Sequence, residues 1–191
     1  MALVVLKSAP SCLIEENRMS ISMYSASVPV FTAMLGNLSH CLTKTRANAE
    51  ARKFDTAVLM GYRLAPDMLP FTRQVLIACD AAKLCIARLS GMEAPKFDDT
   101  ESTLEELQVR IQKTLDYLAS VKPEQVDGTE AKEITFPAGP GKTRTMAGEA
   151  YLKHWATPNV YFHITTAYAI LRHNGVDLGK IDFLLGAAAT A

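Results

Sequence analysis

Apolar side chains recur along this chain at steps of three and four residues in separate stretches, a spacing that puts each set on one face of a helix. In the first stretch Phe31, Met34, Leu35, Leu38, Leu42 and Ala49 form a stripe that starts after Ser27, tolerates Pro29 in its first turn and fades near Arg52. In the second, Phe71, Val75, Ala78, Ala82, Cys85 and Leu89 keep the same rhythm until Gly91, a natural helix stop. A third begins where Ser102 and Glu105 are spaced as a capping box, runs through Leu104, Leu107, Ile111, Thr114 and Leu118, and ends between Val121 and Pro123. The fourth, Pro158–Gly175, has Thr157 as its expected cap and Gly175 as its stop.

The fourth segment differs from the others. No charged side chain occurs from Trp155 to Leu171, yet the stretch holds His163, Thr165, Thr166, Tyr161 and Tyr168. A helix apolar nearly all round is expected to be buried, and polar groups on it must find partners or border a cavity. Any site is therefore expected beside this helix.

Two connections carry their own signals. KFDTAVLMGYRLAPD, after the first helix, has enough apolar residues to pack down through a short helical turn. Before the fourth helix, Glu133–Phe136 and Thr143–Met146 alternate polar and apolar residues around the turn cluster AGPGK, which reads as a small β-hairpin or two extended arms. The expected architecture is an all-α four-helix bundle with that insertion between helices three and four. Residues 1–18 form an N-terminal extension, and 19–186 the domain.

Composition adds boundaries. A chain of 191 residues, 49% hydrophobic, is long enough for one full core. Lys plus Arg and Asp plus Glu balance at 20 each, so the electrostatic footprint of a nucleic-acid binder is missing. Cys12, Cys41, Cys79 and Cys85 show no metal-ligand spacing and read as buried apolar thiols, which favours a cytoplasmic, reducing compartment. The N-terminal apolar run is too short for a signal peptide. The charge-free helical stretch spans only about 24 Å, too little to cross a bilayer.

Candidate chemistry is sparse. GPGKT at Gly139–Thr143 imitates a phosphate loop, but the glycine needed five residues before the Gly-Lys pair is Phe136, and no strand–loop–helix context surrounds it. His163 and His173 are about 15 Å apart along one helix, so they cannot share an ion. His163 reads as a core histidine hydrogen-bonded to a nearby Thr or Tyr, or as a site residue; His173 suits the helix C-terminus as a cation. Arg63 and Asp67 flank the expected start of helix two as an ion pair or a polar anchor. Tyr24, Tyr151, Trp155, Tyr161 and Tyr168 gather at the entrance of helix four, for packing, a dimer interface or a ligand. There is no GxSxG elbow and no recognisable Cys–His arrangement.

The segments SISMYSASVPVF, MLGNLSHCL, RLAPDMLPFTRQVLIACDAAK, GEAYLKHWATPNVYFHITTAYAILRHNGVDLGK and DFLLG resemble a domain-of-unknown-function family of the DinB/YfiT-like metalloenzyme superfamily. The resemblance covers nearly everything from Met19 onward and implies a DinB-type bundle, often dimeric. It also implies a divalent metal on three histidines, with a His-x-x-x-His-x-Gly arrangement on the last helix. Here His173-Asn174-Gly175 matches its end, Ala169 stands four positions earlier, and helix two offers Gln74 and Asp80 but no histidine.

The expectation taken forward is a homodimeric bundle with a polar pocket beside the last helix, binding an unidentified small molecule, with no metal ligand assigned and any cofactor unknown. Its candidate lining is His163, Arg63, Tyr151, Asn159, Tyr168 and His173, with His163 the natural proton carrier should the protein be an enzyme. The alternatives are a metal-dependent transferase or hydrolase of the DinB/YfiT type, and a non-catalytic interaction or DNA-binding protein. The last needs an exposed basic recognition helix, which none of the four segments supplies.

Overall fold

A computed structural model describes residues 21–190; the extension 1–18, with Cys12, lies outside the described residues. Four long helices, α1 (Val28–Arg52), α3 (Phe71–Ser90), α4 (Leu104–Ala119) and α6 (Thr157–His173), make the bundle. α1 and α3 stand mainly on a diagonal, and α4 and α6 each pack against both. The stripes read from the sequence point inward: Phe31, Leu35, Leu38, Leu42, Phe71, Val75, Cys85, Leu104, Leu107 and Ile111 are all buried. The link after α1 does contain a short helix, α2 (Ala57–Met60), whose Leu59 and Met60 pack into the core.

Helix ends follow local chemistry with one displacement. α3 stops at Gly91, whose φ of 79° is the left-handed conformation that glycine adopts without strain. The capping box of α4 is formed by Thr103 and Glu106, one position beyond the expected Ser102–Glu105 pair. The cap must be the extended residue immediately before Leu104, and Thr103 is that residue. Ser102 still contributes, donating its backbone N–H and hydroxyl to the Glu106 carboxylate.

The last long helix departs further from expectation. It starts earlier, with α5 (Gly148–Tyr151) running through a π-helical turn at Leu152–Ala156 straight into α6. Thr157 is consequently not a cap but an interior residue. Pro158 has no N–H to give to the preceding turn, and the wider π turn lets the helix carry its direction past that gap. Nor is α6 buried all round: Val160, His163, Ile164, Thr166, Ala167, Ile170 and Leu171 face inward, while Phe162 is 54% exposed and Thr165 also faces out. Lack of charge in a segment removes one reason for exposure without creating a partner for every face.

β1 (Glu133–Pro137) and β2 (Thr143–Ala147) form an antiparallel hairpin in which Glu133 faces Ala147 and Pro137 faces Thr143. Ile134 and Phe136 bury one face of β1 on the bundle. GPGK lies in its turn, where Gly139 and Gly141 take positive φ. After α6 a helix without a counterpart in the sequence reading, α7 (Lys180–Leu185), docks on α1. Asn37 Nδ2 donates to the Phe183 carbonyl, and Asp182 receives Lys44, His40 and the Gly179 N–H. No helix among the described residues is long and apolar enough to cross a membrane.

Candidate functional site

α3 and α6 pack side by side in opposite directions, as two contacts show. Near one end Gln74 meets His163, and near the other Arg88 meets Tyr151. Between these points the helices leave a cleft of about 240 Å³, floored by Ile77, Ala81 and Leu84 and bordered by Tyr151, Trp155, Asn159 and Pro137 of β1. Tyr151, Trp155, Asn159 and His163 follow at four-residue steps. In a regular helix three such steps drift by roughly 120° around the axis. The π turn at Leu152–Ala156 takes up part of that drift, so the early members stay turned toward α3.

Polar groups at the two ends differ in what they have left to offer. Gln74 is buried; its Nε2 donates to the Leu69 carbonyl, which leaves Oε1 as the atom 2.7 Å from His163 Nδ1. Nδ1 must then carry the proton and Nε2 the lone pair. Burial pushes the His163 pKa down to about 4, so the ring is neutral at pH 7. That corrects the expected Thr or Tyr partner, and a neutral ring with its proton tied to Gln74 is poorly placed as a proton donor near neutrality. At the other end Arg88 donates to the Tyr151 hydroxyl at 2.8 Å, with its guanidinium 5.9 Å from the Tyr151 ring and 6.0 Å from Phe136. Burial pushes the Tyr151 pKa up, reinforced by the neighbouring Cys85 and opposed by Arg88. The Phe136 ring centroid sits 4.7 Å from that of Tyr151 and 4.9 Å from that of Trp155, backing both rings.

The six residues singled out from the sequence are thus only partly brought together. Tyr151 and Asn159 line the cleft, and His163 lies one turn beyond Asn159. Arg63 is exposed and donates to the Met68 carbonyl instead of pairing with Asp67, because α3 begins at Phe71 and both residues belong to the preceding loop. Tyr168 stacks edge-on against Phe183 in a separate apolar groove with Thr165 and Lys180. His173 is exposed at the end of α6. Arg88 was not singled out: an arginine in the last turn of a helix is accounted for by the helix dipole, and only the packing of α6 reveals its second role.

The metal implied by the superfamily resemblance does not fit these side chains. His163 is held by Gln74 and His40 by Asp182, while His154 and His173 are exposed. Among the described residues no group of three or more His, Cys, Asp or Glu is placed to hold an ion. Cys41, Cys79 and Cys85 are free and buried, and burial raises their pKa values to about 11, about 12 and above that range, so none is a thiolate near neutrality. A larger cavity of about 330 Å³ lies beside the 96–101 loop, and four of its charged wall residues are engaged elsewhere. Glu105 pairs with Arg46, Glu106 caps α4, and Arg110 is committed to Asp80, Asp99 and Glu101.

Comparison with known proteins agrees with this architecture. The family described as Domain of unknown function (DUF1993) matches residues 23–184. The crystal structure of a DinB family member protein from Shewanella denitrificans is similar at a TM-score of 0.79 and 45% identity, over 84% of this chain and 90% of that one. No curated protein matches. The chain belongs to the DUF1993 family, and its fold is DinB-like.

Proposed function

We propose that this DUF1993-family bundle binds a small molecule in the cleft between α3 and α6, with Tyr151, Asn159 and Trp155 in contact and His163 behind them as a neutral positioning group. One observation carries the reading. The partly exposed side chain of Asn159 makes no hydrogen bond among the described residues, and it lines a recess beside the rings of Tyr151 and Trp155. An amide held in a concave, mostly apolar site is the usual means of orienting a ligand. The cleft's 240 Å³ falls below the roughly 300–1,000 Å³ of drug-sized sites, so the ligand is metabolite-sized.

A fragment library screened by ligand-observed NMR tests this, with hits mapped by amide shift changes on labelled protein. Hits are expected to perturb Tyr151, Trp155 and Asn159 and to weaken with Asn159→Leu. Hits that map only to other surfaces overturn the reading.

The same protein is proposed to act as a cytoplasmic homodimer. Three free buried thiols suit a reducing compartment. Ile181, Leu184 and Leu185, about half exposed on one face of α7, suit a second copy as cover.

A further inference from the structure

Four groups along this cleft can give a hydrogen bond, and its one carboxylate is already taken. Arg88 has five N–H groups and uses one on the Tyr151 hydroxyl. That hydroxyl, having accepted, keeps its own proton for another acceptor. The Trp155 indole N–H and the Asn159 amide donate to nothing among the described residues. The carboxylate is Asp80, which receives Lys83 at 2.8 Å and Arg110 at 2.9 Å.

The charge balance points the same way. Asp80 belongs to a network in which Lys83, Arg110 and Arg73 face Asp80, Asp99 and Glu101, three cations against three carboxylates. That network is neutral within itself, so it does not compensate Arg88. Arg88 makes no ion pair with a carboxylate among the described residues; its contacts are the Tyr151 hydroxyl and the aromatic rings. Tyr151 is 1% exposed, which places the hydroxyl that joins Arg88 in a largely dry wall. A cation with free N–H groups, next to a tyrosine O–H and above aromatic surface, is an arrangement for holding an oxyanion at one end of a flat body.

We propose that the cleft selects a small monocarboxylate carried on a flat apolar group, its carboxylate on Arg88 and Tyr151 and its body against Trp155 and Leu84. This rests on the reading of the cleft as a ligand site and adds the charge and shape of what enters. Asn159, farther along the same wall, is left to read a polar substituent on the far side of the ligand.

The lone tryptophan of the chain is Trp155, so the indole emission comes from the wall of this cleft. The test titrates the full chain with three probes of matched shape: benzoate, benzamide and benzylamine. Benzoate is expected to shift Trp155 emission saturably and to bind about tenfold or more tighter than benzamide, as one charge-assisted contact implies, with benzylamine weakest. Arg88→Gln should erase the gap between benzoate and benzamide, and Tyr151→Phe should narrow it, with helix content followed by circular dichroism. If benzamide or benzylamine binds as tightly as benzoate with the same emission change, the cleft remains a ligand site and the carboxylate assignment falls. If none of the three moves the emission, the assignment falls too, and the fragment screen alone decides the cleft. The comparison within the wild type decides the proposal even if Arg88→Gln does not fold.

Discussion

His163 Nδ1 and Gln74 Oε1 lie 2.7 Å apart, a buried hydrogen bond that ties α6 to α3 across 89 positions of sequence. The Leu69 carbonyl orients the Gln74 amide, and the amide in turn selects the imidazole tautomer. A loop preceding α3 thereby determines which nitrogen of a histidine on α6 carries a proton.

Burial of His163 makes folding stability depend on mildly acidic pH. His163 titrates near 6.5 when unfolded and at about 4 when folded, because burial disfavours the charged ring. Below pH 6.5 the unfolded chain takes up a proton that the folded chain refuses. The stability present above that pH is therefore lost as pH falls toward 4, by on the order of 3 kcal/mol. Urea unfolding of wild type and His163→Gln from pH 7.5 to 4 should show a shallower slope for the variant. Parallel slopes would refute the assignment.

Asp182 fastens α7. Desolvation raises its pKa, but the Gly179 N–H, Lys44 and His40 outweigh that and hold it at about 2. Its contribution to stability is present above the unfolded carboxyl range and is lost progressively as pH falls from there through about 2. Asp182→Asn should cost about 2–4 kcal/mol and raise amide hydrogen exchange over α7 ahead of the bundle helices. Unchanged exchange in 180–185 would show that α7 is held by its apolar contacts alone.

Gly148 opens the segment that leads into the π turn. A Cβ at this position would stand 2.1 Å from the Thr129 carbonyl oxygen and 3.3 Å from Leu89 Cδ2. Backbone cannot rotate away as a side-chain tip can, so α5 and the 129–130 loop would have to separate. Gly148→Ala is expected to lower stability by about 1–3 kcal/mol despite alanine's better helix propensity, and to alter Trp155 emission. A thermal midpoint equal to or above the wild type would contradict the close approach.

The helices were legible because their signals are local. Spacing of Phe71, Val75, Ala78, Ala82, Cys85 and Leu89 reports one face whatever packs on it, and Gly91 acts through its own φ. Errors arose where an element's length or partners depended on something distant. Thr157 resembles a cap until the segment from Gly148 is seen to be helical already. Arg63 and Asp67 resemble a pair at a helix start until that start proves to be Phe71.

For the candidate site the division follows the same line. Periodicity was enough to determine a helical bundle, an extended insertion before its fourth long helix and a charge-free fourth helix that carries His163, because side-chain direction along a helix repeats every few residues. Which polar groups meet was decided only when α3 came together with α6 and α5: Gln74 with His163, Arg88 with Tyr151. Those pairs join residues 89 and 63 positions apart. A hydrogen bond needs its atoms within about 3 Å, and no pattern within one segment encodes a distance to another.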